Sequence, residues 1–178
     1  HNLGPTVLDC CSIDYSVPAN GLRGNSRLEI LSIQFSSSTS DDGNGRDLAI
    51  AAPLRENKVL VELAFCLCYK VSDETWGAIC DSLETHPTLE VLNLQSGGVF
   101  MAPASSVQES RIQALVDMMK VNMSIYTIQL DARYSQHELF RESVNPYLET
   151  NWFRPRVRAI HKTLPIPYRA KVLGRALL

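Results

Sequence analysis

No stretch of this 178-residue chain approaches the ~18 consecutive apolar residues that a membrane-spanning helix requires. The opening residues, His1-Asn2-Leu3-Gly4-Pro5, form no apolar secretory leader and include no initiator methionine, so a fragment or processed chain is expected. Catalytic signatures are also missing. There is no G-x-S-x-G, no H-E-x-x-H, no G-x-x-x-x-G-K-[ST] and no dinucleotide fingerprint. Gly43-Asn44-Gly45 lies in a polar stretch and lacks a third glycine, and His1, His86, His137 and His161 are dispersed. The expectation is a chain that is not an enzyme and needs neither a cofactor nor a metal.

Cysteine is sparse, and five is an odd count for a disulfide framework. Cys10 and Cys11 are adjacent, Cys66 and Cys68 alternate, and Cys80 falls on a helical stripe, so reduced cysteines packed as small apolar groups are expected. A zinc site from Cys66, Cys68, Cys80 and His86 is the alternative, although one C-x-C without a second close pair supports it weakly. Asn122-Met123-Ser124 matches a glycosylation acceptor, a chance match if the chain is cytoplasmic, as expected.

Acid is absent after Glu149. Residues 1–150 carry ten basic and nineteen acidic side chains, and residues 151–178 carry seven basic and none acidic. The total of −2 therefore hides a body of −9 and a tail of +7.

What is present is a repeat. Leu60, Leu63 and Phe65 stand at the same spacing as Leu89, Leu92 and Leu94. The template, L-x-x-L-x-L, recurs as Leu28, Leu31 and Ile33 upstream and as Ile125, Ile128 and Leu130 downstream. Three residues before each stands Asn25, Asn57, His86 or Asn122, at spacings of 32, 29 and 36 residues. Such periods mark stacked units that bury an apolar face only against their neighbours. Between templates, apolar residues at spacings of three and four predict helices over Asp47–Glu56, Thr75–Thr85, Arg111–Val121 and Glu138–Thr150. Ser72 or Asp73 suits the N-cap of the second helix and Ser110 that of the third. The Asn or His after each helix suits a left-handed C-terminal cap. The long spacings are absorbed by loop-like Ser36–Gly45 and Gly97–Ser110.

Over residues 25–151 these motifs resemble the ribonuclease-inhibitor-like class of leucine-rich repeats. Cys68 also falls where that class places Cys or Asn, though Ser36, Gly97 and Arg133 break the ladder. The resemblance implies an α/β solenoid with a concave parallel sheet and helices on the convex side. A second resemblance, to actin-regulating caps of the tropomodulin type, rests on the same repeats and on no residue of its own. Residues 1–24 are expected to form a degenerate strand, with Leu8 and Cys10 in template positions, and an irregular turn, or else a ragged edge. Residues 25–151 hold four strand–helix units, and 152–178 a basic cap.

The resemblance directs the leucines inward and their neighbours outward, onto the concave face. Glu29, Phe35, Glu62, Leu67, Glu90, Val91 and Tyr126 are the expected contacts for a protein partner, on an acidic surface with scattered apolar area. A non-catalytic interaction scaffold, monomeric as a module, is the expected function. The alternative is an anion or nucleic-acid module acting through Arg154, Arg156, Arg158, Lys162, Arg169, Lys171 and Arg175, with Trp152 and Phe153 for stacking. Trp152 and Phe153 otherwise cover the open end of the stack. Pro155, Pro165 and Pro167 argue against one continuous helix there.

Overall fold

The computed structural model describes residues 6–10, 22–23, 25–34, 50–66, 72–94, 109–130 and 132–163. Five strands, β1 (Thr6–Cys10), β2 (Leu28–Gln34), β3 (Glu62–Cys66), β4 (Val91–Asn93) and β5 (Thr127–Gln129), form one sheet whose order follows the chain. Every neighbouring pair is parallel. Parallel neighbours need a crossover, and helices α1 (Ala51–Glu56), α2 (Asp73–Leu83) and α3 (Glu109–Val121) lie in the connections from β2 to β5.

The register puts the middle template residues side by side: Leu31 opposite Leu63, Leu63 opposite Leu92, and Leu92 opposite Ile128. β1 extends the row, with Leu8 opposite Leu31 and Cys10 opposite Ile33 after an irregularity at Thr6/Val7. From β2 to β5 every template residue except Ile128 is buried, and Ile128 packs against the same core. The helices supply the other wall of that core through Leu54, Trp76, Ile79, Leu83, Ile112, Leu115 and Met119.

The helix ends depart from expectation in three places. Ser72 does cap α2, its Oγ accepting from the Thr75 N–H at 3.1 Å. Ser110, however, lies inside α3, and its hydroxyl donates to Asp73 Oδ2 at 2.9 Å. The helix expected over Glu138–Thr150 is two, α5 (Glu138–Ser143) and α6 (Asn145–Thr163), broken at Val144, with a short α4 (Ala132–Ser135) before them. α6 runs through Pro155 and across the boundary expected at 151/152. Pro155 removes the N–H that would bond the Asn151 carbonyl, and the helix continues on either side of that one lost bond. Pro165 and Pro167 lie outside the described residues.

The turns into the strands explain the recurring asparagine. Asn57 is extended, at φ −68° and ψ 138°, and so is not a left-handed cap. Its side chain does the work instead. Asn57 Oδ1 accepts from the N–H groups of Val59 and Leu60, both at 2.9 Å, and its Nδ2 donates back to the carbonyls of Leu22 and Asn25 at 3.3 and 3.4 Å. Asn25 accepts in the same way from Arg27 and Leu28. Asn122 accepts from Ser124 and Ile125 and donates back to Leu83 and His86. Asn151, on α6, donates to the carbonyls of Asn122 and Ile125. The carboxamides of Asn57 and Asn122 thus each close their own turn and tie it to the one before, while Asn25 closes its turn and Asn151 ties α6 to the last one, which satisfies backbone groups that burial would otherwise strand.

Candidate functional site

One face of the sheet is covered by helices. On the other, three rows cross the strands. Glu29, Val61, Glu90 and Tyr126 share the first, joined by Val61 N–H to Glu29 O, Glu90 N–H to Val61 O and Tyr126 N–H to Glu90 O. Ile30, Glu62, Val91 and Thr127 are paired in the second, and Ser32, Ala64, Asn93 and Gln129 in the third. Glu29 and Glu90 are exposed and the other ten are part-exposed, so this is an open surface. Among its described residues it carries three carboxylates and no basic side chain.

The expected contacts divide across this geometry. Glu29 and Glu90 flank Val61 in one row, whereas Glu62 sits in the next row between Ile30 and Val91. The acids are staggered, separated by aliphatic side chains. Tyr126 ends the first row. Phe35 and Leu67 lie outside the described residues.

A residue assigned to end-capping joins this surface. Trp152, 43% exposed, reaches from α6 to Tyr126, with ring centroids 5.1 Å apart and planes inclined at 60°. The Tyr126 hydroxyl donates to Glu90 Oε2 at 2.8 Å. Carboxylate, phenol and indole therefore follow one another at the β5 end of the open face. The Asn151 hydrogen bonds seat the start of this arrangement, because they fix α6 against the turn into β5. No spacing in the sequence links Trp152 to Tyr126.

Behind the sheet, α2 is braced to α3. Asp73 Oδ1 accepts from Arg111 Nε at 2.8 Å, and Trp76 Nε1 donates to the Arg111 carbonyl at 3.1 Å. The Arg111 guanidinium holds the Asp73 carboxyl below the usual carboxylate range, against the opposing effect of burial and with help from Ser110. The Arg111 side chain is 7% exposed and Asp73 54%. Asp73→Ala should lower stability by about 1 kcal/mol in a denaturant titration, since solvent screens the exposed partner. An unchanged midpoint would show that the pair contributes nothing.

The remaining candidates hold less. Of the basic residues, Arg154 is part-exposed on α6; Arg156, Arg158 and Lys162 lie on that helix with side chains outside the described set, and Arg169, Lys171 and Arg175 lie outside it altogether. Of the zinc alternative, Cys68 and the Cys66 side chain are outside the described residues. Cys80 is packed in the core, where burial pushes its thiol up, and His86 Nδ1 accepts the Leu89 N–H at 3.1 Å. Among the described residues no cluster of three or more His, Cys, Asp or Glu could hold a metal ion, and no helix is long and apolar enough to cross a membrane. An open pocket of about 390 Å³ beside α5 and α6 is lined by Gln136, Glu138, Arg141, Glu142, Asn145, Pro146 and Glu149, with no Ser, Thr, Cys, Lys or His among them.

No protein-family model matches the chain, and no curated protein matches it. Among solved structures it is similar to leiomodin-1 actin-binding site 2, with a TM-score of 0.51 and 16% identity, covering 86% of this chain and 97% of that one. It is also similar to the tropomodulin C-terminal domain of Caenorhabditis elegans, with a TM-score of 0.59 and 12% identity, covering 90% and 92%. At these identities the likeness establishes the fold alone. It corrects the resemblance to the ribonuclease-inhibitor-like class, because the folds matched are tropomodulin and leiomodin domains. The template specifies only which strand positions are buried, and stacked strand–helix units of other families meet the same demand. The spacings of 32 and 36 residues already exceed the roughly 20–29 of leucine-rich repeats.

Proposed function

We propose that this chain is a non-catalytic protein-binding module that presents the open face of its sheet to a partner, and that actin is that partner. The observation that carries the reading is the face itself: rows of part-exposed aliphatic and polar side chains, three carboxylates and no basic side chain among its described residues, and an aromatic pair at one end. Aromatic anchors surrounded by polar groups are the usual composition of an interface centre. Actin enters from leiomodin-1, whose matched structure is described as an actin-binding site. The stacked units form a short solenoid in this reading, with the open face concave, and the module works in the cytoplasm.

Titration of labelled actin with the wild-type chain should show saturable binding. Glu62→Lys should weaken it about tenfold, the scale of one interfacial charge contact turned repulsive. Glu138→Lys, on α5 beside the separate pocket, should leave it unchanged. An absence of binding would remove actin, and equal effects at Glu62 and Glu138 would place the contact off the sheet.

A further inference from the structure

We infer that Glu90, Tyr126 and Trp152 form a receptor for one arginine side chain of the protein partner. This deepens the protein-binding reading above and rests on it.

Three observations converge on a guanidinium. First, the Tyr126 hydroxyl donates to Glu90 Oε2, which orients the carboxylate and leaves Oε1 to accept from a planar donor. Second, the Tyr126 and Trp152 rings meet at 60°, with centroids 5.1 Å apart, and form an angled aromatic wall next to that carboxylate. A cation over an indole face is attracted by the ring quadrupole, and arginine stacks there while keeping its in-plane N–H groups for a carboxylate. Third, the face behind the wall carries Glu29 and Glu62 in addition to Glu90, and no basic side chain among its described residues. On its carboxylate side the site therefore favours a cationic segment, while Arg154 on α6 lies two residues past Trp152. Lysine would satisfy the charge but not the planar contact with ring and carboxylate together.

Val121 and Met123, 46% and 60% exposed, are the other large apolar side chains exposed among the described residues.

The test is a two-dimensional NMR titration of the full chain with acetyl-arginine-amide, and with acetyl-citrulline-amide as its neutral analogue. The chain has two tryptophans, so two indole N–H signals report. Trp76, buried and donating to the Arg111 carbonyl, is the internal control. The Trp152 signal should move saturably with the arginine probe while Trp76 stays fixed, and citrulline should leave both unmoved. Glu90→Gln should weaken the arginine response at least about fivefold, the scale of one exposed cation contact. Trp152→Leu should abolish the shift that the arginine probe causes in the Tyr126 ring protons of an aromatic carbon–proton spectrum, with Trp76 reporting that the fold is intact. Equal shifts with citrulline, or an undiminished response in Glu90→Gln, would overturn the receptor. So would a stationary Trp152 signal. If Glu62→Lys still impairs actin binding in that case, the protein-binding surface stands and only the receptor falls.

Discussion

Asn122→Ala should cost roughly 4 kcal/mol, the largest loss expected from any single turn residue. The side chain is 2% exposed. Its Oδ1 accepts from Ser124 N at 2.9 Å and Ile125 N at 2.8 Å, and its Nδ2 donates to Leu83 O at 2.7 Å. Alanine leaves the buried Ile125 N–H and the part-buried Ser124 N–H without these partners, at about 1–3 kcal/mol each, whereas the Leu83 carbonyl keeps the His86 N–H at 3.1 Å. The loss is a large fraction of the about 5–15 kcal/mol that holds a typical domain together. Asn122→Asp keeps the acceptor but loses both donations, so it should fall between wild type and alanine. Urea unfolding of the three proteins is the check. An alanine variant within 1 kcal/mol of wild type would show that the carboxamide rungs do not hold the units together.

His86 should make the fold acid-sensitive, with a loss of about 2 kcal/mol between neutral pH and pH 4, allowing for partial screening. His86 occupies the third rung and accepts the Leu89 N–H through Nδ1, so the neutral ring carries its proton on Nε2. That nitrogen is buried without a partner. Burial first, and Lys58 second, lower its pKa from 6.5 to about 4. The sign follows from the proton count. Between 6.5 and 4 the unfolded chain binds a proton that the folded chain refuses, so stability is full above 6.5 and falls as pH drops through the window. Asparagine at this position keeps the acceptor and does not titrate. It also offers an Nδ2 to the carbonyls of Leu54 and Asn57, as Asn122 offers one to Leu83 and His86. His86→Asn should therefore be more stable than wild type, and more so at pH 5 than at pH 7. Parallel pH dependences for the two proteins would contradict the assignment.

Much of the fold was legible because burial in a parallel sheet repeats in sequence. Leu63, Leu92 and Ile128 are adjacent because each is the middle residue of its template, and the Asn or His three residues before each template marks the turn that delivers it. What those residues do there was less legible. Asparagine suits a left-handed cap by propensity, yet here its carboxamide bonds across two turns, a tertiary role that local preference does not encode. Pro155 was read by its missing N–H, but one absent bond does not end a helix anchored on the core side through Tyr147 and Leu148 and on the turn side through Asn151. At the candidate surface Glu62 follows from alternation beside the buried Leu63, whereas Glu29, Glu90 and Tyr126 follow from standing next to the first residue of each template, where the strand begins. Trp152 does not, because its contact with Tyr126 depends on how α6 crosses the last strand. The apolar template also could not choose a family, since it records burial and nothing of the surface.

Hydroxyl-radical footprinting of the chain with and without saturating actin tests the proposed surface most directly, because Tyr126 and Trp152 on the face and Met123 off it are all reactive reporters. Protection of Tyr126 and Trp152 with Met123 still labelled is the expected pattern. Protection at Met123, with Tyr126 and Trp152 labelled as in the free chain, would place the partner at the turn before β5 and not on Tyr126 and Trp152.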